Sequence, residues 1–525
     1  MCVKIIHLFF GDIRMINVQL KSRNSFWADD SEGFLFLLPQ DFKIAGNLGK
    51  VEELYPHLQQ ILTSHKFKGQ KGQSYILTHA DGSHVAQFIF LGMGDAKKDG
   101  FEAVRRALGT GIKLAKKLAI KKTSVELPDA AHYGFSQREL VKQLTTISWM
   151  AAFDFERFKS KAEDNVPWTG SITLHADGDH ADLDQAVAEG NIIGQAINSV
   201  RDRAILPGNI ATPTYLAQEA KKMCEKHGLK YTCFGREKAL ELNMGGFCAV
   251  DSGSAQPGQF VIMEYSCGDS NAPTIALVGK GITFDTGGVS LKPSASMTGM
   301  KYDMSGASAV IGAMEVFAQF KPKVNVVGIT PLVENMPGGN ACRQDDIITH
   351  MNGKTTEIEN TDAEGRLILS DSLCYAEKYF KPVVMLDAAT LTGACPYALG
   401  PLYSGLLSAD EELKKELTEI GQFVGDKMWA LPFDDEYREA IKSKVADLTN
   451  CGSKTYMAGT ITAGLYLSNF VKDARWAHLD IAGTADGVPG VSYLGGMATG
   501  SSMRVFVEYV MRYSKKHEMN AVSGL

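Results

Sequence analysis

Four carboxylates and an arginine, with Lys280 and Lys292, fall in two short stretches of this 525-residue chain. The first stretch, Val278 to Asp303, reads VGKGITFDTGGVSLKPSASMTGMKYD and holds Lys280, Asp285, Lys292 and Asp303. The second, NTDAEGR over residues 360–366, adds Asp362, Glu364 and Arg366. A buried carboxylate without a partner is costly, so such groups either face water or are neutralised by cations. Four of them around a small volume suit two divalent metals, about 3.5–4 Å apart, that share a water and clamp both ends of a hydrolysis. Asp362 and Glu364 stand two apart, which in an extended segment puts both on one side. Hard oxygen donors admit zinc, manganese, magnesium or cobalt.

Lys280 admits two readings. As a neutral amine beside a dication it is a ligand; as an ammonium it pairs with one of the aspartates, and physics alone slightly favours the salt bridge. Lys292 and Arg366 are cations beside a carboxylate cage. Each can polarise a carbonyl or stabilise a tetrahedral oxyanion, the bland alternative being a surface salt bridge. Other hydrolase signatures are missing. The chain has no H-E-x-x-H and no G-x-S-x-G, and VGKG over 278–281 is out of register for a phosphate-binding loop. His350 is the single histidine between Lys280 and Arg366, and it reads as structural. Gly92-Met93-Gly94 resembles the start of a dinucleotide fingerprint but lacks the third glycine, so a plain tight turn is expected.

The elements that must carry these groups follow an α/β pattern. The apolar run Thr274–Val278 predicts a buried parallel strand. Lys280 and Asp285 then fall in loops beyond its carboxyl end, where open α/β sheets place their sites. The second half predicts further strands at Gln259–Glu264, Lys323–Thr330, Pro382–Ala388 and Ala477–Ile481. Its helices are expected at Thr214–Lys226 with Thr212 as N-cap, Ser305–Phe320, Leu367–Tyr379, Glu411–Gly425, Glu436–Lys444 and Ser502–Lys515. Asn352-Gly353 between Ile347–Met351 and Thr355–Glu359 predicts a hairpin that delivers the chain to Asp362.

The first half alternates in the same way. Strands are expected at Ile16–Lys21, Phe34–Pro39, Tyr75–Thr78, Val85–Leu91 and Ser124–Leu127. Helices are expected at Val51–His65, Phe101–Leu118 and Arg138–Phe158, with Asn165–His180 as a polar surface hairpin and loop. A long amphipathic helix, Leu183–Ile205, predicts the boundary between an N-terminal domain, 1–182, and a catalytic domain, 183–525. The fold class expected is α/β, two domains, each a mixed or parallel sheet flanked by helices. The first fourteen residues read as an extension.

Composition sets outer limits. A formal net charge of −6 gives no electrostatic case for nucleic acid. No apolar stretch approaches the roughly 20 residues that span a bilayer. Nine cysteines, an odd number with no C-x-x-C pair, read as reduced thiols in a cytosol-like compartment.

The stretches VGKGITFDTGGVSLKPSASMTGMKYDMSGASAV and NTDAEGRLILSDSL closely resemble the cytosolic leucyl aminopeptidase family of dinuclear metallopeptidases. The loop Leu206–Pro213, DAATLTGA from Asp387 and WAHLDIAGTA from Trp476 extend the resemblance through the second domain. It implies that Lys280, Asp285, Asp303, Asp362 and Glu364 ligate two divalent ions, zinc and/or manganese, with Lys280 a ligand after all. Asp285 and Glu364 would bridge; Asp303 and Lys280 would belong mainly to the more exchangeable site, and Asp362 to the tighter one. Lys292 would bind the substrate carbonyl and oxyanion, and Arg366 would anchor bicarbonate as general base. Met300, Thr390, Leu391 and Gly393 would line the first-residue pocket or contact the substrate backbone.

The reaction implied is removal of the N-terminal residue, leucine or another apolar one, from peptide substrates by a cytoplasmic homohexamer built as two trimers. Dinuclear hydrolysis of other amides such as cysteinyl-glycine, and a non-enzymatic binding role, are the alternatives. One departure stands out: Gln344-Asp345-Asp346 follows Arg343 where the family has Pro-Gly-Asp. A changed local turn with no loss of activity is expected.

Overall fold

The computed structural model describes residues 16–523 apart from 29, 83, 161–167, 179 and 454. The first fourteen residues, expected as an extension, lie outside the described residues. Two compact units share the chain: Met1–Asn198 with Gly490–Gly495, and Ser199–Pro489 with Gly496–Leu525. The division falls inside the helix His180–Ile205.

The first unit is a six-stranded sheet of β1 (Asn17–Ser22), β2 (Gly33–Pro39), β3 (Ser74–Asp81), β4 (His84–Gly94), β5 (Lys122–Glu126) and β6 (Ser171–Ala176). Its order is β1-β6-β5-β2-β4-β3, parallel except for the β3–β4 pair. Phe34, Phe36, Phe88 and Phe90 project from β2 and β4 into one buried cluster with Val51, Leu58 and Leu62 of the neighbouring helices.

Four expectations need correction here. The segment read as a polar hairpin contains β6, which pairs on both sides with β1 and β5. Its polar residues are tolerated inside because they find partners: Gln19 Nε2 donates to Thr173 Oγ1, and His175 Nε2 lies 3.1 Å from Ser124 Oγ. The helix expected over Val51–His65 is two, Asn47–Leu54 and Leu58–Ser64, broken where Pro56 lacks an amide hydrogen and His57 takes φ +69°. The helix expected over Arg138–Phe158 ends at Ala152. Gly92–Gly94, expected as a tight turn, instead closes β4, and Asp95 caps the following helix, accepting from Lys97 N and Lys98 N where a phosphate would have to sit.

The second unit carries β7 (Lys230–Phe234), β8 (Gln259–Tyr265), β9 (Thr274–Gly279), β10 (Gly281–Asp285), β11 (Asn325–Asn335) and β12 (Ile347–Thr349). It continues with β13 (Thr355–Glu357), β14 (Val384–Ala389), β15 (Ser404–Leu407), β16 (Met428–Ala430), β17 (Leu448–Thr449) and β18 (Arg475–Asp480). The large sheet runs β16-β15-β18-β14-β9-β11-β8-β7, with β10 added to β11. Its centre, β18-β14-β9-β11, is parallel, and every residue of β14 is buried, as a parallel strand covered on both faces requires. The helices Ser305–Phe320 and Gly365–Phe380 both pack on β9.

The segment after Lys280, expected as loop, is the strand β10, parallel to β11 with a register shift between Ile282 and Asp285. The helix expected over Glu436–Lys444 is a 3₁₀ turn, Asp435–Ile441. The hairpin forms as expected: β12 and β13 are antiparallel, and Gly353 turns the chain at φ +87°. His350, which opens the turn, is fully buried within 3.2 Å of Asp371 and 3.1 Å of Thr356 and Tyr466, and pins the hairpin to the helix Gly365–Phe380. Thr212 caps its helix by accepting from Tyr215 N.

Candidate metal centre

Strands β9, β14 and β18 end side by side, and the chain leaves them at Lys280, Thr390 and Ile481. Lys280 N donates to Ala388 O, and Lys280 O accepts from Ala307 N, so the backbone of this residue is fixed from both neighbours. Its side chain threads past Gly365, where an added Cβ would stand 2.6 Å from Lys280 Cε. Glycine is needed there for close approach. The ammonium then lies 2.8 Å from Asp303 Oδ1, 2.9 Å from Glu364 Oε1 and 2.9 Å from Thr390 O.

A second lysine closes the other side. Lys292 Nζ sits 2.6 Å from Asp285 Oδ2 and also pairs with Asp362. It arrives on a loop that turns through Gly287 and Gly288 at φ +88° and +66°. Asn335, at the end of β11, ties this loop to the second stretch: its side-chain amide donates to Asp285 Oδ1 at 2.8 Å and to Thr361 O at 3.0 Å. Thr361 Oγ1 donates to Gly287 O and accepts from Ser290 N. Gln344, at the departure from the family pattern, donates to Ser290 Oγ at 2.7 Å, and its neighbour Asp345 takes φ +67°. The local turn therefore leans on the site loop.

Ligand-bearing oxygens of Asp285, Asp303 and Glu364, all buried, come within 4.8 Å of one another. Asp362 is half-buried and joins them through Lys292. Four carboxyl groups face two lysines here, so the acids outnumber the ammonium groups by two. Burial pushes the Asp303 carboxyl up to about 8, with the Lys280 ammonium pulling the other way. Burial and the nearby Asp285 raise Glu364 as well. For Lys280, burial disfavours the charge, but Asp303, Glu364 and Asp285 outweigh it and hold the ammonium well above the usual lysine value. Lys280 forms ion pairs with both Asp303 and Glu364.

The residues fit divalent cations. Asp303 Oδ2 is buried with no hydrogen-bond partner, and Glu364 Oε1 meets Lys280 off the hydrogen-bonding line. Orphaned hard oxygens in an over-acidic pocket are what a small dication satisfies. Arg366 stands two residues beyond Glu364, in the first turn of the helix Gly365–Phe380, buried, with Nε unpartnered. Burial draws its pKa down, with Glu364 and Asp480 pulling the other way. Thr390 touches the centre, its hydroxyl donating to Asp303 Oδ1 at 2.6 Å. Leu391 is half-buried on the same turn, Gly393 is exposed on open space, and Met300 is half-buried at the start of the 3₁₀ helix Met300–Met304. Among the described residues, no hydrogen bond or ion pair links the Met300 or Leu391 side chain to the carboxylates.

Sequence reasoning missed Asn335 and Thr361, which join the two ligand-bearing loops. An asparagine closing the apolar run of β11 was the available signal.

Comparison with known proteins gives the same picture. The model of the cytosol aminopeptidase family catalytic domain matches residues 198–507, and that of the family's N-terminal domain matches residues 43–162. A probable cytosol aminopeptidase of Nitrosospira multiformis is 40% identical over 434 residues, covering 82% of this chain and 83% of its own. One from Nitrosomonas europaea is 38% identical over 466 residues, covering 88% and 92%. Among solved structures, the bottromycin maturation enzyme BotP in complex with Mn matches at a TM-score of 0.80 and 28% identity, over 92% of this chain and 100% of that one. Family models that account for both halves, together with a buried acidic centre at the carboxyl ends of the parallel strands, place this chain in the cytosol aminopeptidase family, as a metal-dependent aminopeptidase.

Proposed function

We propose that the chain releases leucine or another apolar N-terminal residue from peptides, using two divalent cations held by Lys280, Asp285, Asp303, Asp362 and Glu364. Zinc and manganese are the favoured ions, with cobalt or magnesium as substitutes. The observation that carries the reading is the excess of carboxylates over lysines, with Asp303 Oδ2 orphaned among them. Bound there, the cations would lower the pKa of a water and polarise the scissile carbonyl.

The chain's own residues do the rest. Asp285 and Glu364 would serve both ions. Lys280 becomes a ligand on giving up its proton, which a dication at Asp303 and Glu364 would promote. Lys292 is the cation on the turning loop, and its ammonium stabilises the oxyanion that forms as water adds to the scissile carbonyl, before the amide bond breaks. Arg366 would hold a bicarbonate, which supplies the proton acceptor that no histidine provides at this centre. Met300, Thr390, Leu391 and Gly393 line the first-residue pocket, and the apolar Met300 and Leu391 favour an apolar side chain there.

Assembly into a homohexamer of two trimers and a role in cytoplasmic peptide turnover belong to the same proposal. Tyr397, Met457 and Trp429 support an assembly surface, being 95%, 91% and 58% exposed. The eight described cysteines are free thiols, in keeping with a reducing compartment. Among the described residues, no helix is long and apolar enough to cross a membrane.

The test is hydrolysis of leucine amide by chelated protein, then after addition of manganese, zinc or cobalt. Activity lost and restored supports the reading; folded protein inactive with every metal rejects it. A rate profile across amino-acid amides that peaks at lysine or arginine rejects the apolar preference.

A further inference from the structure

Thr390 meets the centre twice, through its hydroxyl on Asp303 Oδ1 at 2.6 Å and its carbonyl oxygen on Lys280 Nζ at 2.9 Å. What holds Thr390 is the next strand. Asp480 closes β18 and is fully buried. Its Oδ2 accepts from the Thr392 hydroxyl at 2.6 Å, and its Oδ1 accepts from Leu391 N at 3.3 Å and from Ala482 N at 3.1 Å. Ala389 and Asp480 are paired in register, so the carboxylate reaches across one strand spacing to the turn that follows β14. Thr392 Oγ1 lies 2.8 Å from Thr460 Oγ1 as well, which fixes its rotamer from a second side.

The chemistry of this carboxylate is unusual for its depth. All three of its hydrogen-bond donors are neutral, and burial raises its pKa. A carboxylate at this depth is costly even with the nearby His478 offsetting part of the burial, and a neutral side chain of similar size would fill the space at less cost. An ionised carboxylate is acceptor-only on both oxygens, whereas an asparagine offers one acceptor and one donor group. Three donors converging from two separate turns call for the carboxylate.

We propose that Asp480 is a positioning residue for the reaction: it locks the turn at residues 390–392 and through Thr390 sets the placement of Lys280 and Asp303. The inference rests on the reading of the centre as a two-metal aminopeptidase site. It predicts that the contacts of Asp480 govern both cation affinity and the fit of the first residue, since one turn carries Thr390 and Leu391.

The experiment uses the full-length protein with Asp480→Asn, Thr392→Val and Thr392→Ser. Manganese binding is measured by calorimetry, and KM and kcat are measured on leucine and alanine amides. Asp480→Asn and Thr392→Val are expected to weaken manganese binding about 10-fold, in the range seen when a group supporting a metal ligand is removed. KM for leucine amide should rise more than kcat falls, and the preference for leucine over alanine should shrink. Thr392→Ser, which restores the hydroxyl, should return all three to the wild-type values. The proposal is overturned if Thr392→Val keeps wild-type manganese affinity and substrate ratio. A fall in melting temperature or in active fraction alone overturns it too, because a purely structural role gives that result. Should Asp480→Asn fail to fold, Thr392→Val decides alone. A wild-type protein inactive on every amide would reject the function while the manganese isotherms still judge the positioning.

Discussion

Lys280 Nζ lies 2.8 Å from Asp303 Oδ1, with both side chains buried. Such a pair is marginal as a source of stability but expensive to break, because the survivor is left charged and unpaired at a cost of about 3–5 kcal/mol. Lys280→Met is therefore expected to destabilise chelator-treated protein by about 3 kcal/mol or more, measured by urea denaturation. Saturating manganese should recover part of that loss, since a cation between Asp303 and Glu364 replaces the missing ammonium. Equal losses with and without metal would show that these carboxylates do not share a cation site.

Lys292 and Asp285 touch each other yet should fail differently. Lys292→Ala removes an electrostatic stabiliser of the transition state, so turnover of leucine amide should fall about 10²–10³-fold while metal content stays at the wild-type level. Asp285→Ala should lose metal and activity together. Elemental analysis of both purified variants separates the roles. Full occupancy in Asp285→Ala contradicts its place as a central ligand.

Much of this site could be read from residue order, and the limits have a physical cause. Ser305–Phe320 is a helix to the residue because its apolar pattern is long and uninterrupted. The Asn352-Gly353 hairpin announces itself through turn chemistry. The strand β10 escaped because five residues, GITFD, are too few for a period to show. β6 escaped because Thr173 and His175 look like surface residues until Gln19 and Ser124 arrive from far along the chain. Asn335 and Asp480 escaped for the same reason: their partners lie 50 and about 90 residues away, at Asp285 and at Leu391 and Thr392. The ligands themselves were legible because a carboxylate beside a strand end is conspicuous. The groups that aim them were not, because a single amide or acid in an apolar strand carries no spacing signal.

One strand away, His478 faces Asp387 at 2.5 Å, both fully buried, with Trp476 Nε1 donating to the same carboxylate. Burial disfavours the imidazolium, but Asp387 outweighs it and raises the pKa of His478 above its ordinary value. A histidine raised on folding contributes stability that is fully present below its unfolded pKa of about 6.5 and is lost as pH rises through the folded value. His478→Gln should therefore destabilise most near pH 6, by about 3 kcal/mol, with the gap to wild type narrowing toward pH 9. Denaturation curves of both proteins across that range check the sign. A gap that widens with pH would mean that the histidine is neutral in the folded protein.

Arg366 offers the sharpest division between anchoring an anion and merely filling space. Its guanidinium is buried beside the acidic centre, yet Nε has no partner among the described residues. A guanidinium keeps its charge at any accessible pH, so this burial is tolerable if an anion completes the site. Arg366→Ala should lower turnover about 10²-fold, the scale of a lost general base, with metal content preserved. Wild-type activity should also rise with added bicarbonate in carbonate-free buffer, and the variant should not respond. Arg366→Lys keeps the charge and loses the planar fork that grips an oxyanion in two places, so it should respond only at higher bicarbonate. Wild type and Arg366→Ala responding alike would remove bicarbonate from the mechanism and leave Arg366 a structural cation. A wild-type enzyme indifferent to bicarbonate, but crippled by Arg366→Ala, would instead place the guanidinium in direct contact with the substrate.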